Sequence, residues 1–267
     1  MARVSAALLA VALAAVAAGF YYRQSRTPDV ERQPSEIIVG DNWLDHLHSQ
    51  NPKVAGEAAR QLQALGPRAV PTIRRALQNP STDVATKKAA LKAAGLIGTA
   101  ASPIVPDAAA HLADPELTEE AAVALSFMGR AAYGPLRQAA SNADPAIRRE
   151  ALRSLGKLHD RAPLSATEVV PLLLRGLTDQ DAKVRAVSAT YLGIIHADGG
   201  SAVPALIETL QDEEAEVRAA AAAALGSFDD YAANALPALR KAAADKDENV
   251  AREAGLSIVK LQSSSRK

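Results

Sequence analysis

The segment EVRAAAAAALGSFDDYAANALPALRKAAAD, residues 216–245, decides the fold of this chain because its pattern returns on both sides of it. It holds two short apolar-periodic stretches joined by a turn, which is typical of a helical hairpin. A single hairpin of this kind cannot bury its own apolar face, so its copies must stack against one another. The segment therefore predicts a protein built as a stack of helix pairs.

Each copy of the pattern places apolar residues at fixed distances within its first helix. In residues 216–245, Val217 is followed eight residues later by Leu225 and eleven later by Phe228, and Gly226 lies between them. The eighth-position residues step by 32, 31, 30, 37, 33 and 33 residues, and they are Leu62, Ala94, Leu125, Leu155, Leu192, Leu225 and Ile258. This period predicts an all-α fold, an α-solenoid of about six and a half helix-turn-helix repeats.

The second helix of each copy has markers of its own. A proline falls near its predicted start, where a missing N–H costs little, at Pro71, Pro106, Pro171, Pro204 and Pro237. Eight residues beyond each proline stands a residue able to cap or turn the chain, namely Asn79, Asp114, Asp179, Asp212 or Asp245. These markers predict repeats at residues 51–79, 80–114, 115–143, 144–179, 180–212 and 213–245.

These residues also resemble a known family. The order D-x-x-V-R followed by L-G is present in Asp181, Val184, Arg185, Leu192 and Gly193, and A-V-P-A-L follows at residues 202–206. This pattern is similar to the HEAT-like repeats of phycobilisome lyases, and the resemblance covers about residues 41–262. It implies the fold but not one function, since such repeats serve as enzymes, chaperones and scaffolds.

Composition excludes several classes of protein. The chain has 30 basic and 30 acidic residues, so no net charge draws it toward nucleic acid or an anionic membrane surface, and we expect no nucleic-acid partner. It contains no cysteine, which excludes disulfides, thiolate metal sites and cysteine nucleophiles. Aromatic residues make up only 3% of the chain, which favours thin helices packed closely through alanines.

The N-terminus indicates export. Residues 1–22 carry a basic residue, Arg3, near their start. Residues 4–22 have no charged side chain, and this run is long enough to cross a bilayer as a helix. Small residues at 17–19 also suit a cleavage site, so the segment is either a signal peptide or a membrane anchor. We therefore expect an exported protein, periplasmic or otherwise extracytoplasmic, or one held in the membrane by residues 4–22, its only link to the membrane.

Beyond the N-terminal segment, the sequence predicts a linker, the repeat array and a tail. Residues 23–40 contain two prolines and several charges, which predicts a flexible linker before the solenoid of residues 41–262. Trp43 falls in a half-repeat at the N-terminal end, where it is either core or an aromatic ligand platform, and the core interpretation is preferred. Residues 248–261 predict a closing half-repeat, and residues 263–267 a disordered tail.

The search for chemistry finds no catalytic residue, metal site or cofactor. His159 and His196 recur at the same turn of adjacent repeats, but a repeat spacing of about 10 Å is too wide for both to bind one ion. Deoxyhypusine hydroxylase, an iron enzyme of this repeat family, carries a repeated His-Glu pair, whereas the corresponding dipeptides here are Arg149-Glu150 and Arg252-Glu253. No Walker loop, G-x-S-x-G or H-E-x-x-H motif occurs. The sequence therefore predicts that the protein is not an enzyme.

Arginines follow the first apolar residue in three repeats, at Arg148, Arg185 and Arg218. They could bind a ligand, but a structural role is favoured, in which they pair with loop carboxylates such as Asp144, Asp181 or Glu214. This interpretation predicts a loss of stability on mutation rather than a loss of binding.

The predicted binding surface is the concave side, which the second helices line in this family. Residues three and four after each proline look outward there and are mostly cationic, which suits an acidic protein or peptide partner. The predicted partner-binding residues are Arg74, Arg75, Arg137, Arg175, Arg240 and Lys241. We expect a non-catalytic protein-interaction scaffold, and the alternative is an enzyme or cofactor-binding protein, lyase-like or chaperone-like, that uses a concave cleft.

Overall fold

The computed structural model describes residues 43–47, 49–161 and 166–264. This part of the chain forms α-helices joined by short 3₁₀ turns and contains no strand. The predicted N-terminal segment, residues 1–22, and the predicted linker, residues 23–40, lie outside the described residues, as does the end of the predicted tail, residues 265–267.

The helices alternate along the chain as the repeat period predicts. In order they are α1 Trp43–Leu47, α2 Pro52–Leu65, α3 Val70–Gln78, α4 Val84–Ile97, α5 Val105–Ala110, α6 Thr118–Phe127, α7 Tyr133–Ala139, α8 Pro145–Arg161, α9 Ala166–Gly176, α10 Ala182–Ile195, α11 Gly199–Thr209, α12 Ala215–Leu225, α13 Ala232–Ala242 and α14 Glu248–Ser264. Short 3₁₀ segments are Gly66–Ala69, Gly98–Ile104, His111–Ala113, Arg130–Ala132 and Asp229–Tyr231. The first helices of the repeats are the even-numbered ones from α2 to α12, and the second helices are the odd-numbered ones from α3 to α13. The all-α solenoid is therefore confirmed.

The core includes six of the seven eighth-position residues predicted from the sequence, and the seventh, Ile258, is only partly buried. Leu62, Ala94, Leu125, Leu155 and Leu225 are completely buried, and Leu192 is nearly so. Each first helix packs against the first helix of the next repeat, and from α4 onward also against the second helix of the repeat before it. Burial of an apolar side chain contributes on the order of 1.5–3 kcal/mol, so a repeat gains most of its stability from its neighbours.

In four repeats a glycine follows the eighth-position residue, at Gly95, Gly156, Gly193 and Gly226, and it allows close packing between first helices. A Cβ at Gly193 would lie 2.6 Å from the Cα of Ala224 in the next repeat, which leaves no room for a side chain. In α14 the same repeat position is Val259, whose side chain points to solvent and is 66% exposed.

The prolines mark the second helices, but their predicted place in the first turn is correct only in part. Pro71 and Pro106 lie in the first turn of α3 and α5. Pro171, Pro204 and Pro237 lie inside α9, α11 and α13, because these helices begin five residues earlier. At that depth a proline leaves the carbonyl four residues before it without its helical N–H donor.

Both ends of the described array carry half-repeats. Trp43 is 7% and Leu47 2% exposed, so the core interpretation of Trp43 is confirmed. At the other end, α14 buries Val250 and Leu261, and it continues through the first two residues of the predicted tail to Ser264. Its outer side is polar only in part, since Leu256 is 60% exposed beside Val259.

One stretch of the described residues, Val84–Ala113, is long and apolar enough to cross a membrane by length and composition. In the fold it is the whole second repeat, α4, α5 and the 3₁₀ segments beside them. Nearly half of its most apolar window is buried inside the protein, which is typical of core helices rather than of a membrane span.

Candidate functional site

The arginine ladder is structural. Arg148, Arg185 and Arg218 each hold an aspartate of the next inter-repeat loop through two hydrogen bonds, and the acceptors are Asp179, Asp212 and Asp245. Each also donates to two backbone carbonyls of the loop before its own helix. Four of the five N–H groups of each guanidinium are thereby engaged within the fold, as the structural interpretation of these arginines predicts.

The carboxylates named for this ladder from the sequence were the wrong ones. Asp181 accepts hydrogen bonds from the backbone N–H groups of Lys183 and Val184, so it caps α10 instead of pairing with an arginine. Asp144 accepts from the N–H of Ala146 at the start of α8. Each arginine therefore reaches past the loop of its own repeat to the aspartate one repeat farther along.

These pairs also set the protonation of the aspartates. The hydrogen bonds from Arg148 hold the pKa of Asp179 below its usual range, although burial opposes the shift. Arg218 lowers the pKa of Asp245 in the same way, helped by the backbone N–H of Asp247. The ladder is consequently ionised at neutral pH and links neighbouring repeats by charge as well as by apolar packing.

The six predicted binding cations all lie on second helices. Arg75, Arg137, Arg175, Arg240 and Lys241 are exposed, whereas Arg74 is half-buried. Arg74 donates to Asp107 at 3.2 Å and to the carbonyl of Pro103 at 2.6 Å, so it ties the first repeat to the second. We call these six residues the second-helix row. Arg74 is the member whose side chain already stabilises the fold through these hydrogen bonds. The role of the row in partner binding stays a prediction.

Two open grooves lie elsewhere, along the solvent-facing side of the first helices, which we call the first-helix face. The N-terminal groove, about 600 Å³, runs over α4 and α6 beside Leu47. The C-terminal groove, about 780 Å³, runs over α10, α12 and the end of α14. Neither groove was predicted from the sequence.

Small side chains on the middle helix open the C-terminal groove. Ala220 and Ala223 of α12 and Ser227, two residues past its end, line the groove together with Ile194 of α10 and Lys260 of α14. Ile194 is 48% exposed, although it is a large apolar residue. The Lys260 ammonium group donates to the Ser227 hydroxyl at 3.4 Å. This part of the groove is therefore largely apolar and carries one cation, Lys260.

The turn end of the same groove is polar and carries unusual backbone. Asp229, Asp230 and Tyr231 line it together with His196. His196 and Asp198 have φ angles of 37° and 50°, in the left-handed region that side chains other than glycine adopt rarely. The His196 Nδ1 lies 2.9 Å from the carbonyl oxygen of Ile194, so in the neutral ring Nδ1–H donates and Nε2 is the acceptor.

The N-terminal groove is more apolar. Leu96, Val123 and Phe127 line it, and Phe127 is 40% exposed. Its rim is charged, because Lys88 and Glu120 form an ion pair at 2.8 Å and Lys92 lies beside them. The signal in the sequence was the tenth residue after the first apolar one of each repeat, which is apolar at Leu96, Phe127 and Ile194 although it faces solvent.

No metal centre is formed by the side chains that the structure describes, since no three of the potential ligands His, Cys, Asp and Glu come together. His159 and His196 differ in their surroundings. The Nδ1 of His159 is buried without a hydrogen-bond partner, whereas that of His196 is bound to backbone.

Comparison with known proteins shows that the chain matches one protein family. The family model of HEAT repeats matches residues 40–126, 107–192 and 170–260, which together cover most of the chain. A search of curated protein sequences found no match to the chain.

Solved structures show the same fold at low identity. A mutant of Kap121p with three substitutions superposes with a TM-score of 0.62 at 14% identity over 84% of this chain and 29% of its own. Kap95p, from a complex with RanGDP, gives 0.62 at 16% identity over 84% of this chain and 33% of its own. The E. coli protein YibA gives 0.51 at 16% identity over 98% of both chains. The chain thus spans about a third of the length of the two Kap proteins and nearly all of YibA.

Proposed function

Because this chain belongs to the HEAT-repeat family, we propose that it is a non-catalytic scaffold that binds a protein or peptide partner in the grooves of its first-helix face. The observation that carries this proposal is the exposure of Phe127 and Ile194 inside long open grooves. Each lies on a first helix whose inward side is fully buried, so neither is needed to complete the core. Apolar residues exposed in a groove favour protein binding.

A relative of this fold supports the general idea. Kap121p was solved bound to Nup53p, and that structure superposes on this chain with a TM-score of 0.59. At 14% identity the likeness concerns the fold and not the partner. What carries over to this chain is the proposal that its first- or second-helix surface holds a polypeptide.

The second-helix row is the competing surface. Its exposed cations would take an acidic segment, as the sequence analysis expected. Three of them, Arg75, Arg137 and Arg175, are exposed, and none of the three forms an ion pair with a described residue. The two surfaces can be separated because no residue is shared between them.

The test is an affinity pull-down from the envelope fraction with the tagged full-length chain, in three versions. The first is the natural sequence, the second carries Phe127→Ser and Ile194→Ser, and the third carries Arg75→Glu, Arg137→Glu and Arg175→Glu. We expect a stoichiometric partner with the first and third versions and its loss with the second, each with an unchanged helical circular-dichroism spectrum. Loss with the third version alone would move the site to the second-helix row.

An enzyme remains the second candidate, favoured by His196, Asp229, Asp230 and Tyr231 at one end of the C-terminal groove. Imidazole, carboxylate and phenol groups are the usual participants in acid–base chemistry. Turnover by the purified protein that His196→Gln abolishes would support this candidate over the scaffold.

We further propose that residues 1–22 export the protein or anchor it. The support is the uncharged run of residues 4–22 behind Arg3. An anchored protein keeps this segment and stays in the membrane pellet after a high-salt wash, whereas a cleaved protein begins near residue 20 and is soluble. Intact-mass measurement distinguishes the two, and recovery of the full-length chain in the cytosol would contradict both.

A further inference from the structure

A row of cations runs along α8, between the two grooves of the first-helix face. Arg153, Lys157 and Arg161 stand four residues apart, so they lie above one another on one side of the helix. The opposite side of α8 is core, with Leu152, Leu155 and Leu158 buried. The row therefore projects from a well-anchored helix.

The two arginines of the row are already engaged. Arg153 donates to both oxygens of Glu150 at 3.1 Å, and Arg149 donates to the same carboxylate at 3.0 Å. Glu150 is only 4% exposed, so it needs these donors. Arg161 donates to Ser126 at 3.1 Å, and its guanidinium carbon lies 3.9 Å from the centre of the Phe127 ring.

Lys157 differs from both arginines. It is half-buried, and none of the described side chains forms an ion pair or hydrogen bond with its ammonium group. Burial lowers the pKa of Lys157, and the nearby charges of Arg153 and Arg161 lower it further. A cation in this position gains from an incoming anion, because the anion offsets both the desolvation and the repulsion.

Apolar groups flank Lys157. Phe127 occupies the same repeat position on α6 that Lys157 occupies on α8, and it forms a wall of the N-terminal groove. On the other side, the Tyr191 ring of α10 lies against Gly156, the residue before Lys157. A segment that lies along the first helices would thus meet an apolar surface and then the ammonium group.

We propose that Lys157 is the receptor for an aspartate or glutamate side chain of the partner, placed next to an apolar side chain that fills the N-terminal groove beside Phe127. The inference rests on the proposed scaffold function and assigns the chemistry of the bound segment. A singly charged carboxylate fits better than a phosphate, because Lys157 offers a single ammonium group and the negative charges of Glu119 and Glu150, which act on it, oppose a second negative charge. Both neighbouring arginines, which a phosphate would need for bidentate contacts, are held elsewhere.

The test is a selection of random peptides displayed on phage against the immobilised full-length protein. It is run in parallel with Lys157→Gln and with Lys183→Gln, a control on an exposed first-helix lysine of the next repeat. On the natural sequence and on the control, we expect enriched peptides to share an acidic residue at a fixed distance from a large apolar one. On Lys157→Gln the apolar preference should remain and the acidic one should disappear. A peptide selected on the natural protein should bind Lys157→Gln about tenfold or more weakly, and its binding should weaken with added salt.

The other outcomes are equally informative. Enriched peptides with an apolar preference but no acidic position would overturn the inference and leave the scaffold function standing. Acidic peptides that bind the Lys157→Gln variant equally well would place the carboxylate elsewhere. Displacement of the selected peptide by millimolar inorganic phosphate, but not by acetate, would show a phosphate site instead. Failure to enrich any peptide would contradict both proposals.

Discussion

The guanidinium group of Arg185 and the carboxylate of Asp212 meet through two parallel hydrogen bonds, Nε to Oδ2 at 2.7 Å and Nη2 to Oδ1 at 2.8 Å. Both side chains are about nine-tenths buried, and they belong to successive boundaries of the repeat array. The same arrangement joins Arg148 to Asp179 and Arg218 to Asp245. This ladder of charge pairs fixes the angle and spacing of neighbouring repeats where apolar packing alone would allow sliding.

Removal of the arginine from one pair should be costly. We expect Arg185→Gln to lower the free energy of unfolding by about 3–5 kcal/mol, because Asp212 is then left buried without its partner. Urea unfolding followed by circular dichroism measures the change. Arg175→Gln, at an exposed position, should shift stability by about 0.5 kcal/mol or less. Equal effects of the two substitutions would contradict the structural role of the ladder.

The arginine–aspartate pairs also predict how the free energy of unfolding depends on pH. The pKa values of Asp179 and Asp245 are lowered in the folded state, chiefly by hydrogen bonds from Arg148 and Arg218. Their contribution is therefore complete above the unfolded aspartate pKa of about 3.9 and is lost as pH falls through the lower folded values. We expect stability to fall below about pH 4. The gap between the natural protein and Asp245→Asn should narrow over the same range, and a constant gap down to pH 2 would contradict this account.

Two glycines in first helices should respond in opposite directions to the same substitution. Gly193→Ala places a Cβ 2.6 Å from the backbone of Ala224, so we expect a loss of about 1–3 kcal/mol from overpacking. At Gly56 in α2 no atom lies within 4 Å of the added Cβ. Gly56→Ala should therefore stabilise the protein by about 0.5–1 kcal/mol through reduced chain entropy. Thermal or urea unfolding of the two variants compares them directly.

Truncation before Glu248 should loosen one end of the array first. The missing α14 would expose the sides of α12 and α13 that it covers, whereas α2 to α6 keep all their neighbours. Hydrogen exchange should show lost protection that is largest in α12 and α13 and decays toward the N-terminal repeats. A uniform loss along the chain would mean that the repeats unfold as one unit rather than through nearest-neighbour contacts.

The sequence alone determined the fold and much of its core. The spacing of Val217, Leu225 and Phe228, repeated along the chain, identified the first helices and the residues that they bury. This was possible because the positions are set by local helical geometry, which depends on spacing within one segment. Trp43 was assigned to the core for the same reason.

Only the tertiary structure decided which groups meet between repeats. Arg185 pairs with Asp212 rather than with the nearer Asp181, because stacking places the next inter-repeat loop beside it and leaves Asp181 to cap a helix. The grooves, likewise, depend on the sizes of side chains from three successive helices, and the unpaired position of Lys157 depends on what Arg153 and Arg161 already hold. A repeat pattern describes each helix pair separately, whereas a binding surface is formed by residues far apart in the chain that stacking brings together.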